Sequence, residues 1–187
     1  MVISKFTEAS RRVLAKANQQ AQRFNHEYIK PEHILLGLID EKESIGYGIM
    51  KSCGLDMKDI RIEIHERIRS GPEMVTMGKL PNAPRSKIIL QNAQEEVENF
   101  GHNYLGTEHI LLGIMRERTG LAFDILYEKG LRIHEVVKYM QLKDGLGVKS
   151  EPDKLQLHDL LDEAIALSET NQLDIVASFA QIISMNR

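Results

Sequence analysis

"KPEHILLGL" occupies Lys30–Leu38 and "GTEHILLGI" occupies Gly106–Ile114, so the six letters EHILLG occur twice, 76 positions apart. The same offset aligns far more than those letters. Phe24, His26 and Tyr28 fall on Phe100, His102 and Tyr104, Leu14 and Ala17 on Leu90 and Ala93, and Gly54-Leu55 on Gly130-Leu131. Between Phe24 and Gly37, nine of fourteen positions are identical to their counterparts. The chain is an internal duplication, and the repeat decides the fold before any local reading does.

Each copy carries the punctuation of four short helices. Thr7 precedes Glu8, and Val13, Leu14, Ala17 and Ala21 follow at helical spacing. Pro31 stands at a helix start, where its missing N–H costs nothing. Ile34, Leu35, Leu38 and Ile39 then form an apolar stripe. Gly37 sits inside that helix at a propensity cost of roughly 1 kcal/mol, and Gly113 repeats it, which predicts close helix–helix approach. Ile45, Ile49 and Met50 mark a third helix ended by Gly54, and Met57 to Ile68 a fourth with Ile60, Ile64 and Ile68 along one side. No stretch alternates as a strand does. The expected fold is all-α, two four-helix repeats related by a pseudo-twofold axis. Repeat one covers about 3–71 and repeat two about 80–145, together a domain over 1–145. A glycine- and charge-rich linker over 146–154 precedes a helical hairpin over 155–187, which should dock on the domain or pair two chains as a homodimer.

Composition bounds function. Of 187 residues 42% are hydrophobic and 27% charged, as in an ordinary globular protein. A net charge of −3 argues against nucleic acid as a partner. One cysteine, Cys53, excludes an internal disulfide and suits a reducing cytoplasm. The apolar run from Ile175 to Ile183 is too short to span a bilayer, and the N-terminus lacks a secretory signal. These features describe a soluble intracellular protein.

Catalytic signatures are missing. His26, His33, His102 and His109 recur by duplication, yet no HExxH and no cysteine ligand accompanies them. Packed or capping histidines are expected, with no metal and no cofactor. Cys53 reads as a core thiol, and Gly78-Lys79 is followed by Leu80 instead of the Ser or Thr of a phosphate-binding loop.

Glu32 and Glu108 stand in the first turns of their helices, and two roles fit them. The helix dipole favours a carboxylate there by ~0.3–1 kcal/mol, which needs no ligand. A carboxylate so held can also clasp a guanidinium through paired hydrogen bonds. Arg11 and Lys87 recur at matching places in the opening helices, where they either hold an anion or form a solvated face.

The segments "FTEASRRVLAKANQQAQRFNHEYIKPEHILLGL" and "APRSKIILQNAQEEVENFGHNYLGTEHILLGI" closely resemble the two repeats of the Clp N-terminal domain, which fronts ClpA- and ClpC-type AAA+ unfoldases. The resemblance covers about residues 3 to 145. It implies a module that recruits substrates or adaptors to the unfoldase and its protease, or that regulates the unfoldase. In ClpC-type members it further implies recognition of phosphorylated arginine. A glutamate of each EHILLG helix then pairs with the guanidinium, while a threonine and a basic residue near the opening helix hold the phosphate. Carried over, one pocket would use Glu32, Thr7 and Arg11. The other would use Glu108 and Lys87, with Ala83 where the threonine belongs and one phosphate hydrogen bond missing. Pro31 replaces the threonine usual before Glu32 but preserves the helix start. The final hairpin resembles a UVR-type hairpin that lacks its central basic residue.

The expectation is therefore a stand-alone, non-enzymatic Clp N-domain protein in the cytoplasm. Its partners would be Clp ATPase or protease subunits, adaptors and arginine-phosphorylated clients, with no membrane and no nucleic acid. The alternatives are a fragment of a complete Clp ATPase and, less favoured, a small metal-dependent hydrolase.

Overall fold

The computed structural model describes residues 5–72 and 78–143. The expected linker and hairpin, 146–187, lie outside the described residues. The chain divides into two units, Met1–Met140 and Gln141–Arg187.

Eight helices and two very short strands make up the described residues. The first copy runs β1 (Lys5–Phe6), α1 (Glu8–Arg23), α2 (Pro31–Asp40), α3 (Ile45–Ser52) and α4 (Met57–Arg67). The second runs α5 (Pro84–Asn99), β2 (Tyr104–Leu105), α6 (Thr107–Glu117), α7 (Leu121–Glu128) and α8 (Ile133–Lys143). The fold is all-α, as the repeat implied. The two strands of two residues each are an addition that their brevity hid from any test of alternation.

Helix α2 is apolar almost all round and is buried, with Ile34, Leu35, Leu36 and Leu38 fully out of solvent. Ile110, Leu111 and Leu112 place α6 the same way. Each such side chain contributes roughly 1.5–3 kcal/mol through burial. A Cβ built on Gly37 would overlap the Val13 carbonyl oxygen of α1, and one on Gly113 would overlap that of Ile89 in α5. The paired glycines therefore set how closely α1 lies on α2 and α5 on α6. A polar clip crosses each contact. Gln20 donates to Asp40 at 2.8 Å in the first copy, and at the corresponding places Arg116 pairs with Glu96 in the second.

Helix ends follow their sequence signals. Thr7 Oγ1 accepts the Ser10 amide at 3.1 Å, and Asp56 caps α4 through the Lys58 amide at 2.7 Å. After α3, the Gly54 amide reaches Lys51 O and the Leu55 amide reaches Met50 O, a paired closure that needs the positive φ of Gly54. Cys53 is the cap residue of that turn and is partly exposed, not a core thiol as the sequence suggested. The reason is that the turn directs Leu55, two residues later, into the core instead.

The two copies are joined by exchange. β1 pairs in parallel with β2, Lys5 opposite Tyr104 and Phe6 opposite Leu105. Reciprocally, Asn82 just before α5 bridges Ile29 just before α2. Ser10 Oγ donates to Leu105 O at 2.8 Å and Ser86 Oγ to Ile29 O at 2.7 Å. Each copy's opening segment thus pairs with the residues just before the EHILLG helix of the other copy.

Candidate functional site

The start of each EHILLG helix is fixed by a pair of histidines. The Lys30 amide donates to His33 Nδ1 at 3.0 Å, so a neutral His33 carries its proton on Nε2. That nitrogen lies 2.9 Å from His26 Nδ1, and His26 Nε2 lies 2.8 Å from Arg69 O. The order of donors follows: Lys30 amide to His33, His33 to His26, His26 to the Arg69 carbonyl. In the second copy the Gly106 amide donates to His109 Nδ1 at 3.0 Å, and His109 Nε2 lies 2.9 Å from His102 Nδ1. Burial, reinforced by the neighbouring His26 and Lys30, pushes His33 down to about 3. Burial and then His102 push His109 to about 3 as well. Both nitrogens of His26 and of His33 have protein partners, so neither ring has a lone pair for a metal. No metal-binding group of three or more His, Cys, Asp or Glu occurs among the described residues. No helix among them is long and apolar enough to cross a membrane.

Glu32, in the first turn of α2, opens into a cleft of about 500 Å³ between that helix and the second copy. Its apolar surface comes from Pro31, Ala83, Pro84 and Leu121, and its charges from Lys30, Glu32 and Arg85. Arg85 arches over Gly120, where a Cβ would meet Nη1 at 2.5 Å, and its Nε lies 3.7 Å from Glu117 Oε1. Gly120 also has φ +86, so glycine is required there twice over. One carboxylate and two cations therefore line the cleft together with its apolar surface.

The second carboxylate is placed differently. Glu108 is 3% exposed and folds back over Gly106, where any Cβ would overlap its carboxylate. Thr107 Oγ1 accepts the amide of Gly46 from α3 at 3.0 Å, and its hydroxyl points to Glu108 Oε2 at 3.5 Å. Gly46 permits this approach, since a Cβ would come 2.9 Å from Thr107 O. The matching positions are Pro31 of the first copy, which has no hydroxyl, and Ala122 of the second, which carries a methyl.

The grouping expected within each copy is corrected by the exchange of opening segments. Thr7 follows β1 and its amide donates to Leu105 O at 3.0 Å, on the Glu108 side. Ala83 donates to Ile29 O at 2.8 Å and lines the Glu32 cleft. Glu32 therefore faces the alanine, and the threonine belongs with the other copy's helix. The Thr7 hydroxyl is also committed: it accepts the Ser10 amide and lies 2.8 Å from Ser10 Oγ, whose own proton goes to Leu105 O. Arg11 and Lys87 are exposed on α1 and α5, and neither lines the cleft. The cations beside Glu32 are Lys30 and Arg85 instead. Their counterparts are Gly106 and Ala9, so a search for residues shared by the copies passes over them. Pro84 directly before Arg85, at the start of α5, was the available signal.

Eight helices among the described residues, in two like halves joined by exchanged opening segments, define the architecture. The Clp repeat (R) N-terminal domain family matches residues 5–129, and the chain belongs to that family. It is 40% identical over 129 residues to the chloroplastic chaperone protein ClpC of Pisum sativum, a match covering 69% of this chain and 14% of that protein. The chain thus spans about one seventh of that relative's length. Among solved structures, the N-domain of ClpV from Vibrio cholerae superposes with a TM-score of 0.64 at 19% identity, covering 78% of this chain and 89% of that one. A ClpV N-domain in complex with a VipB peptide gives 0.62 at 19% identity, covering 78% and 91%.

Proposed function

We propose that this chain is a non-catalytic binding module of the Clp proteolytic system, recruiting substrate or adaptor proteins to a Clp ATPase and its protease. The observation that carries the reading is Glu32, partly exposed in a cleft that Lys30 and Arg85 also line. A carboxylate there can take a guanidinium through two parallel hydrogen bonds. Two cations beside it can take a phosphoryl group, Arg85 through its planar fork and Lys30 as a point charge. A phosphorylated arginine side chain offers both groups on one stem, and the apolar lining suits its methylenes. The VipB peptide in complex with a ClpV N-domain of the same fold supports the view that such platforms bind peptide segments. Burial raises the Cys53 thiol above its usual range, which disfavours a nucleophilic thiolate. The net charge of −3 disfavours nucleic acid, and the expected place of work is the cytoplasm.

Calorimetric titration of the full chain with a phosphoarginine peptide tests this. Binding by the wild type, lost in Glu32→Gln and weakened in Arg85→Ala, is the expected result. Equal, negligible heats from all three would sink it. A second reading rests on the small share of ClpC that the chain spans: the module fronts a complete Clp ATPase. Recovery of a longer native polypeptide carrying this sequence would favour that reading.

A further inference from the structure

The far end of each EHILLG helix carries another repeated carboxylate, Glu41 in the first copy and Glu117 in the second. The opening helices cross these helices in one register. Gly37 lies against Val13 O and the Ala17 amide, and Gly113 against Ile89 O and the Ala93 amide. Residues 12 and 16 of α1 therefore correspond in place to 88 and 92 of α5. In the first copy they are Arg12 and Lys16, and they satisfy both carboxylate oxygens. Arg12 Nη2 lies 2.8 Å from Glu41 Oε1, and Lys16 Nζ lies 2.6 Å from Oε2. In the second copy they are Ile88 and Asn92, which bring no charge. Glu117 is nonetheless as buried as Glu41, its side chain 7% exposed against 8%. Its Oε1 accepts the Thr119 hydroxyl at 2.8 Å, while Oε2 is buried and accepts no hydrogen bond among the described residues.

We propose that Glu117 and Ile88 form a docking site for an arginine or lysine side chain of a bound protein segment. The head group takes Glu117 Oε2, and the aliphatic stem lies along Ile88, which is 46% exposed on α5. The first copy displays the filled state within the same molecule. Lys16 shows a further gain for a cation at this place, since Nζ also donates to Asp40 O at 2.7 Å, at the negative end of the helix. The cations near Glu117 leave its demand standing. Arg116 is paired with Glu96. Arg85 Nε stays 3.7 Å from Oε1, beyond hydrogen-bond distance, and its side chain is 54% exposed. An incoming head group therefore displaces Arg85 without breaking a hydrogen bond to that carboxylate. A buried acceptor left unpaired is costly, so the site favours a partner that brings its own donor. It reads positive charge, unlike the cleft at Glu32, and does not depend on the function proposed there.

The test titrates the full chain, with isotope-labelled isoleucine methyls, against acetyl-Leu-Arg-Leu-amide and its citrulline counterpart, which keeps the shape and loses the charge. The Ile88 methyl resonance is expected to shift with the arginine peptide and to need about tenfold more of the citrulline peptide. Glu117→Gln should weaken the arginine peptide by a similar factor, and Glu32→Gln should leave it unchanged. Ile88→Arg rebuilds the first copy's arrangement. It should raise the thermal midpoint and abolish peptide binding, and the rise should vanish when Glu117→Gln is added. An Ile88 methyl that ignores the arginine peptide, an equal response to both peptides, or a lowered midpoint in Ile88→Arg overturns the site. Movement of that methyl with protein concentration alone would place a second copy of the chain there and overturn the partner segment.

Discussion

Arg116 pairs with Glu96 across the α5–α6 contact, at the position where the first copy sets Asp40 against Gln20. The carboxylate has moved from one helix to the other, and a guanidinium has taken its former place. Glu96 is 1% exposed and Arg116 25% exposed. Burial raises the Glu96 carboxyl above its usual range, and Arg116 opposes that shift.

Removing the cation strands the charge. Arg116→Ala should cost about 3 kcal/mol, the lower part of the range for breaking a buried pair, because Arg116 keeps some solvent. Urea denaturation at neutral pH measures it. Adding Glu96→Gln should recover most of the loss, since the uncompensated carboxylate is then gone. A double variant as unstable as the single one would contradict the pairing.

Acid should weaken the domain through its histidines. His33 and His109 stay neutral in the fold down to about 3, while unfolded histidines take up protons near their ordinary value of about 6.5. The unfolded state therefore binds more protons throughout that window. Stability is full above about 6.5 and falls as pH drops towards 3. At about 1.4 kcal/mol per pH unit for each group, lowering pH from 7 to 5 should remove on the order of 2 kcal/mol per histidine. Melting curves of wild type and His33→Gln across this range check it, the variant losing part of the slope.

The glycine in EHILLG should resist even alanine. Gly37→Ala places a methyl on the Val13 carbonyl oxygen, and backbone cannot yield as a flexible side chain does. Overpacking of this kind costs ~1–3 kcal/mol, against a helix-propensity gain of ~1 kcal/mol. A net loss of roughly 1 kcal/mol is expected, with Gly113→Ala behaving alike, and thermal denaturation reads both.

An improvement is available at the start of α5. Ala83 occupies the cap position without a side-chain hydrogen bond, whereas Thr7 caps α1. Ala83→Thr should stabilise by about 1 kcal/mol, and Thr7→Ala should destabilise by a similar amount. Ser86 Oγ, bonded to Ile29 O at 2.7 Å, is placed to receive the new hydroxyl as Ser10 receives that of Thr7. A rise in chemical-denaturation midpoint without a change in slope would confirm the cap.

The helices were legible because each carries its own signals. Thr7, Pro31 and Gly54 act over three or four residues, a range that sequence reports directly. Close approach at Gly37 was legible for the same reason, since the cost recurs at Gly113. The cleft was not. Which opening segment lies against which copy's EHILLG helix start depends on pairing between residues far apart in the chain (Phe6 with Leu105, Asn82 with Ile29), and strands of two residues leave no pattern to follow. Thr7 therefore looked like a companion of Glu32 when its partners are Ser10 and Leu105. Lys30 and Arg85 escaped notice because they break the repeat, and comparing copies rewards what they share.

The exchanged segments carry a consequence for history. In a protein with one copy, Ser10 Oγ and the strand at Lys5–Phe6 would find their acceptors only on a second molecule. The duplicated chain contains both halves of what is, in its bonding, an arm-swapped homodimer. Fusion released the halves from having to stay alike, as Lys30 against Gly106 and Gln20 against Glu96 now record.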